Sequence, residues 1–203
     1  MEENLKTIFE ASYQNPSIAK KTLEDIGYTY DTELSSPDTK VFVDKQGNPH
    51  IAYRGSHRVE DVLTDIQLGL GKETKRHKEA KDIAKKTEEK YGKSASAYGH
   101  SLGGHLAEQS GVSGNIYTYN KATGVKDIFR KVPKTQFDYR TERDIVSLPS
   151  VLQKGGNKIT IESTTKDLLK EHSLKSFKKG KTIQSGNPFQ GTYGSLGQTL
   201  PFK

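Results

Sequence analysis

The sequence predicts an α/β fold, with a mostly parallel central sheet flanked by helices. Three observations carry this. Short strand patterns alternate with helical ones along most of the chain, the order that crossover connections produce. The run Gly99-His100-Ser101-Leu102-Gly103 joins a strand pattern directly to a helix pattern. The 203 residues suffice for one domain with its own core.

The elements follow in order. Leu5, Ile8, Phe9 and Ser12 sit at helical spacing, and Asn15-Pro16 stops that helix. A second helix is expected over 17–26, with Gly27 at its C-terminus. Residues 31–39 are rich in Ser, Pro and Asp and read as loop. Val41-Phe42-Val43-Asp44 and His50-Ile51-Ala52-Tyr53 read as a hairpin turned through Lys45-Gln46-Gly47-Asn48. Val59, Val62, Leu63, Ile66 and Leu70 recur at helical spacing within 57–71. That segment is either a lid hinged at Gly69 and Gly71 or a helix packed into the core.

Ala80, Ile83, Ala84, Thr87 and Tyr91 form the apolar stripe of a charged helix over 75–91, closed by Gly92. Beyond it, 94–98 reads as a strand of small residues, 103–110 as a helix and 115–119 as a strand. A short helix over 125–131, strands over 136–140 and 158–161, and a helix over 174–179 complete the pattern. We expect 1–180 to be a single domain with a helical N-terminal segment, 1–40. Residues 181–203 form a Gly/Ser-rich C-terminal arm with apolar anchors Phe189, Tyr193, Leu200 and Phe202.

Composition narrows the function classes. There is no cysteine, which excludes a disulfide framework, a thiolate metal site and a cysteine nucleophile. No apolar run is long enough to span a membrane as a helix. Met1-Glu2-Glu3-Asn4-Leu5-Lys6 lacks the apolar stretch of a secretion leader, so a cytoplasmic or non-classically exported protein is expected. The net charge is +7. Residues 72–90 carry a net +3 and residues 170–181 a net +4, which is the whole excess. A localised positive patch attracts phosphate, on an anionic lipid surface or on nucleic acid. No helix-turn-helix, zinc or RNA-binding pattern accompanies the charge, so nucleic acid is disfavoured.

The sharpest chemical signal is the Gly-x-Ser-x-Gly run around Ser101. A strand reversing sharply into a helix leaves one hydroxyl exposed at the crest, and flanking glycines remove the Cβ atoms that would clash. The serine then sits at a helix N-terminus, where unpaired N–H groups favour developing negative charge. Chains with this turn place an acid and then a histidine after the serine. Of the histidines at 50, 57, 77, 100, 105 and 172, four precede Ser101 and His105 lies one turn along the same helix. His172 remains as the base. The acid must lie between them at a strand end, where Asp144 fits best, with Asp138 or Asp167 next and Asp127 on a predicted helix. An oxyanion needs two donors aimed at one point. The Leu102 N–H is one, and Ser56, in the turn Tyr53-Arg54-Gly55-Ser56 after an earlier strand, is the candidate for the other. No metal or cofactor is required by this constellation.

With these residues in hand, the chain resembles the class 3, fungal-type lipases of the α/β-hydrolases, over roughly residues 41–179. The landmarks are Tyr53-Arg54-Gly55-Ser56, Asp65, the run Tyr98-Gly99-His100-Ser101-Leu102-Gly103-Gly104, Asp144 in an Asp-x-Val-x-x-Pro setting, and His172. The resemblance implies a compact α/β-hydrolase-like fold with a trimmed lid. It implies a lipid ester hydrolase with Ser101 as nucleophile, His172 as base, Asp144 as acid, and Ser56 with Leu102 as oxyanion donors. The chain departs from the family pattern at His105, often Ala, at Tyr119-Asn120-Lys121-Ala122, where a Gly-x-Pro often follows the strand, and at Ile145, often Pro. The partner the resemblance implies is a lipid ester (triacylglycerol or phospholipid), and the positive charge of 170–181 separately suggests peripheral contact with an anionic surface. The alternatives are an inactive hydrolase-fold binding module, or an acyltransferase or esterase for non-lipid esters.

Overall fold

The computed structural model describes residues 4–56, 74–163, 165–177 and 182–185. The expected lid segment, 57–71, lies outside them, as does the C-terminal arm apart from 182–185.

Among the described residues, eight strands form one mixed sheet in chain order. They are β1 (Thr29–Asp31), β2 (Thr39–Val43), β3 (Pro49–Tyr53), β4 (Ser96–His100), β5 (Ile116–Tyr119), β6 (Lys131–Thr141), β7 (Lys154–Ile161) and β8 (Thr182–Ser185). β3 through β7 run parallel, while β1–β2, β2–β3 and β7–β8 pair antiparallel. The helices are α1 (Leu5–Tyr13), α2 (Pro16–Asp25), α3 (Lys75–Tyr91), α4 (Leu102–Gln109) and the single turn α5 (Leu168–Glu171).

The period-2 alternation of the strands divides the core between the two faces of the sheet. Phe42, Ala52, Tyr98 and Tyr117 share one cluster with Leu5, Ile8, Phe9, Ala19 and Leu23 of α1 and α2. Val41, Ile51, Ala97 and Ile116, each one residue earlier, share the other with Ala80, Ala84, Leu106 and Ala107 of α3 and α4. Parallel strands covered on both faces read as continuous apolar runs, which is why β3 is buried throughout. On the α1 face, Tyr98, Tyr117 and Phe137 are direct register partners and their rings stack at 5.1 and 5.2 Å.

Local signals explain the helix ends. Asn15 caps α2 by accepting the Ile18 N–H, and Pro16 occupies its first turn, so the residues that stop α1 also start α2. Gly92 closes α3 in the left-handed conformation, φ 61°.

Several elements differ from expectation. Thr29–Asp31 forms a short strand, β1, reaching one residue into the expected loop, because β2 offers it an edge to pair with. β4 occupies 96–100 rather than 94–98, since β3 and β5 pair with it up to the Ser101 turn. The helix expected over 125–131 is a 3₁₀ turn, Val125–Phe129, and Lys131 already belongs to β6. β7 starts at Lys154 rather than 158, drawn out by pairing with β6. The expected helix over 174–179 is, among the described residues, a 3₁₀ turn, Leu174–Ser176. Residues 182–185 of the arm add the edge strand β8 to β7.

Phe9 of α1 is fully buried against Tyr119 and Phe177 at ring separations of 6.2 and 5.7 Å. Phe9→Ala is therefore expected to lower stability by about 3–5 kcal/mol. Thermal unfolding checks this, with Ile18→Ala on the exposed face of α2 as a near-neutral control.

Candidate active site

β4 ends at His100 and α4 begins at Leu102, so Ser101 alone makes the reversal. Its backbone sits at φ 58°, ψ −127°, a region costing a non-glycine residue about 1–3 kcal/mol. Neighbouring glycines make the turn feasible. A Cβ on Gly99 would lie 2.1 Å from the Gly103 carbonyl oxygen, and one on Gly103 would lie 2.2 Å from that of Tyr53. The Ser101 N–H donates to the Tyr119 carbonyl at 3.0 Å and the Ala122 N–H donates to the Ser101 carbonyl at 3.1 Å, anchoring the turn to the end of β5.

The hydroxyl this turn presents meets His172. Ser101 Oγ lies 2.8 Å from His172 Nε2, and His172 Nδ1 lies 2.9 Å from Asp144 Oδ1. All three residues are buried. The carboxylate accepts from Nδ1–H, which leaves Nε2 as the acceptor for the serine proton. Asp144 also accepts the Ser147 N–H at Oδ2, 2.9 Å, and the Val146 N–H at Oδ1, 3.4 Å. Burial would raise its carboxyl, but the bonds from His172 and Ser147 hold it below the usual carboxylate value. Such a chain can carry a proton from the hydroxyl to the imidazole while the carboxylate stabilises the resulting cation.

The other acids weighed in the sequence are engaged elsewhere. Asp138 pairs with Lys158 at 2.6 Å and Lys121 at 3.1 Å. Asp127 pairs with Arg130 at 3.3 Å. Asp167 accepts the Lys170 N–H at the start of α5.

The oxyanion candidates sit on two segments that meet at the turn. Leu102 opens α4, where an N–H has no intrahelical acceptor. Ser56 follows Gly55, whose added Cβ would lie 2.7 Å from the His100 carbonyl oxygen, so this loop runs directly against the turn. The loop is tied down by Arg54 N–H to the Asp38 carbonyl, 3.0 Å, and by Arg76 Nη2 to the Arg54 carbonyl, 2.5 Å.

Two features escaped the sequence reading. His100, the residue before the serine, donates from Nε2 to the His172 carbonyl at 2.6 Å, and its Nδ1 lies 2.8 Å from Tyr13 Oη. Chain order excluded His100 as the base, and nothing in the sequence ties Tyr13 to it. Below α4 lies a buried polar layer. Lys121 contacts Glu108, Asp138 and Gln153, while Gln153 and Gln136 bond Glu108 in turn. Burial lowers a lysine, yet Asp138 and Glu108 raise Lys121 above its ordinary value, so it stays charged. Among the described residues, no group of three or more His, Asp or Glu side chains is arranged to hold a metal ion, and no helix is long and apolar enough to cross a membrane.

The sequence family described as phospholipase-like, Tle-like phospholipase domain, matches residues 3–175. No curated protein matches the chain. Among solved structures, the native lipase–propeptide complex of Rhizomucor miehei is similar, with 18% identity and a TM-score of 0.51, covering 78% of this chain and 67% of that one. A deletion mutant of that complex gives 17% identity and a TM-score of 0.51, covering 79% and 66%. The chain thus spans about two thirds of the length of those lipase chains. At such identity the likeness is one of fold.

Three of the buried histidines among the described residues make stability sensitive to acid. Burial pushes His100 and His105 down to about 3 and lowers His50 from its ordinary 6.5. Below 6.5 the unfolded chain binds protons that the folded chain refuses, so the stability they contribute is complete above that value and is lost as pH falls toward 3. The melting temperature should be level just above neutrality and decline below pH 6.5, before carboxylates of ordinary 3.8 such as Asp144 titrate. His105→Gln should make the decline shallower in a pH series of thermal melts.

Proposed function

Because the chain belongs to the Tle-like phospholipase domain family, we propose that it is a serine hydrolase of lipid esters, with phospholipid as the first substrate to consider. The carrying observation is the continuous chain from Ser101 Oγ through His172 to Asp144, at 2.8 and 2.9 Å, on a strained turn at a helix N-terminus.

In this mechanism Ser101 Oγ attacks the ester carbonyl carbon as His172 Nε2 takes its proton. The Leu102 and Ser56 N–H groups hold the tetrahedral oxyanion. The carbon–oxygen bond to the alcohol breaks, and His172 gives the proton to the departing oxygen. Water then attacks the acyl-enzyme by the same steps in reverse, releasing the acid and restoring Ser101. Asp144 keeps its negative charge throughout and orients the ring.

Surface features beside the site favour a lipid over a small soluble ester. Ile145 and Leu148 are exposed immediately after Asp144, and Leu152 and Phe129 are exposed on the two packed 3₁₀ turns that follow and precede β6. Lys175, also exposed, adds positive charge next to His172 in sequence, with the more distal lysines of 170–181 outside the described residues. Apolar side chains fringed by cations suit peripheral contact with an anionic lipid surface. In this reading 1–180 acts as one domain and 181–203 as an arm.

Ser101 is only 1% exposed, which favours as second reading an occluded hydrolase fold that binds rather than cleaves. Reaction with a fluorophosphonate probe separates the two, because an activated, reachable serine is labelled. On a panel of phospholipid, triacylglycerol and short-chain esters, Ser101→Ala should reduce turnover about 10⁶-fold. Asp144→Asn should reduce it about 10⁴-fold by stabilising the wrong tautomer of His172. Hydrolysis that survives in Ser101→Ala would overturn the assignment.

A further inference from the structure

We propose that Tyr13, at the end of α1, is a positioning residue for His172, acting through His100. The inference rests on the hydrolase reading above and deepens it.

The hydrogen bonds fix their own direction. The His172 carbonyl can only accept, so His100 Nε2, 2.6 Å away, carries the ring proton. Burial keeps the His100 ring neutral, so Nδ1 has no proton and must accept. The Tyr13 hydroxyl, 2.8 Å from Nδ1, is therefore the donor. Tyr13 Oη also lies directly against Gly55. The resulting chain runs from the phenol, lodged against Gly55, through the imidazole to the backbone of the proposed base.

Packing leaves His100 little freedom to relax. Its ring stacks on Tyr119 at 5.5 Å and lies 5.0 Å from the His172 ring. Gly55 permits the approach, since a Cβ there would lie 2.2 Å from Tyr13 Oη. One phenol thus joins the loop that carries Ser56 to the peptide that carries His172. α1, nearly ninety residues away in sequence from His100, becomes part of the positioning apparatus.

The test uses the full chain with Tyr13→Phe, His100→Gln and His100→Leu, assayed well below each melting temperature. Three quantities are read: kcat and KM on a chromogenic ester, the rate of fluorophosphonate labelling, and the low-field proton resonance of His172 Nδ1–H. Tyr13→Phe is expected to lower kcat about tenfold with KM within about twofold, slow labelling in parallel, and move the resonance. His100→Gln keeps a donor for the His172 carbonyl and an acceptor for Tyr13, so it should retain most activity. His100→Leu, which keeps neither, should fall about a hundredfold. Wild-type kcat and an unmoved resonance in Tyr13→Phe would overturn the proposal, as would equal activity in the Gln and Leu variants. If Tyr13→Phe does not fold, the Gln and Leu pair carries the same decision. A wild-type protein that is inactive and unlabelled defeats the hydrolase reading instead, and the resonance of Tyr13→Phe against wild type still decides the geometry.

Discussion

The reversal of the chain at Ser101 governs the arrangement around it. A single residue turns β4 into α4, and the fold tolerates its left-handed backbone because the surroundings leave no other path. Gly103 brings α4 against the Tyr53 carbonyl, so the end of β3 and the start of α4 touch without a side chain between them. Bonds to Tyr119 and Ala122 clamp the same turn to the end of β5. Three neighbouring parallel strands therefore end at one level, and their loops converge there. This is the place where parallel α/β sheets gather chemistry, outside the carboxyl ends of the strands.

The two faces of the sheet serve this edge differently. The face under α1 and α2 is aromatic, and its stack of Tyr98, Tyr117 and Phe137 leads to the layer of His100 and Tyr119 beside the site. The other face is built from alanines and aliphatic residues with Tyr53, then gives way to the charged layer of Lys121, Glu108, Asp138 and Lys158. Buried ion pairs of this kind add little net stability but are costly to break singly, because a lone charge would remain. The layer therefore constrains how α4 sits on β5 and β6, which in turn holds the Ser101 turn in register.

Family membership and fold agree with the lipase resemblance read from the Tyr53-Arg54-Gly55-Ser56 and Ser101 motifs. The departures from that pattern acquire physical meaning in the structure. His105 replaces a small residue and is accommodated by Gln109, His77 and the nearby Asp127. The residues after β5, Asn120 and Lys121, are not filler. Asn120 donates to the Glu171 carbonyl at 2.8 Å, one residue before His172, and Lys121 centres the buried layer.

The sequence by itself determined what depends on neighbours in the chain. Short continuous apolar runs mark β2 and β3, a 3.6-residue stripe marks α3 up to Gly92, and the glycines around Ser101 make the turn possible. Chain order also singled out His172 and favoured Asp144. The sequence did not mark β1, β8 or the true start of β7, because short strands form only where a neighbour offers hydrogen bonds. Nor could it link Tyr13 to His100, 87 residues apart, or place Lys121 between Glu108 and Asp138. Those contacts are decided by how the layers stack. A buried polar atom finds its partner across the core, and no periodicity along the chain records which side chain will be waiting there.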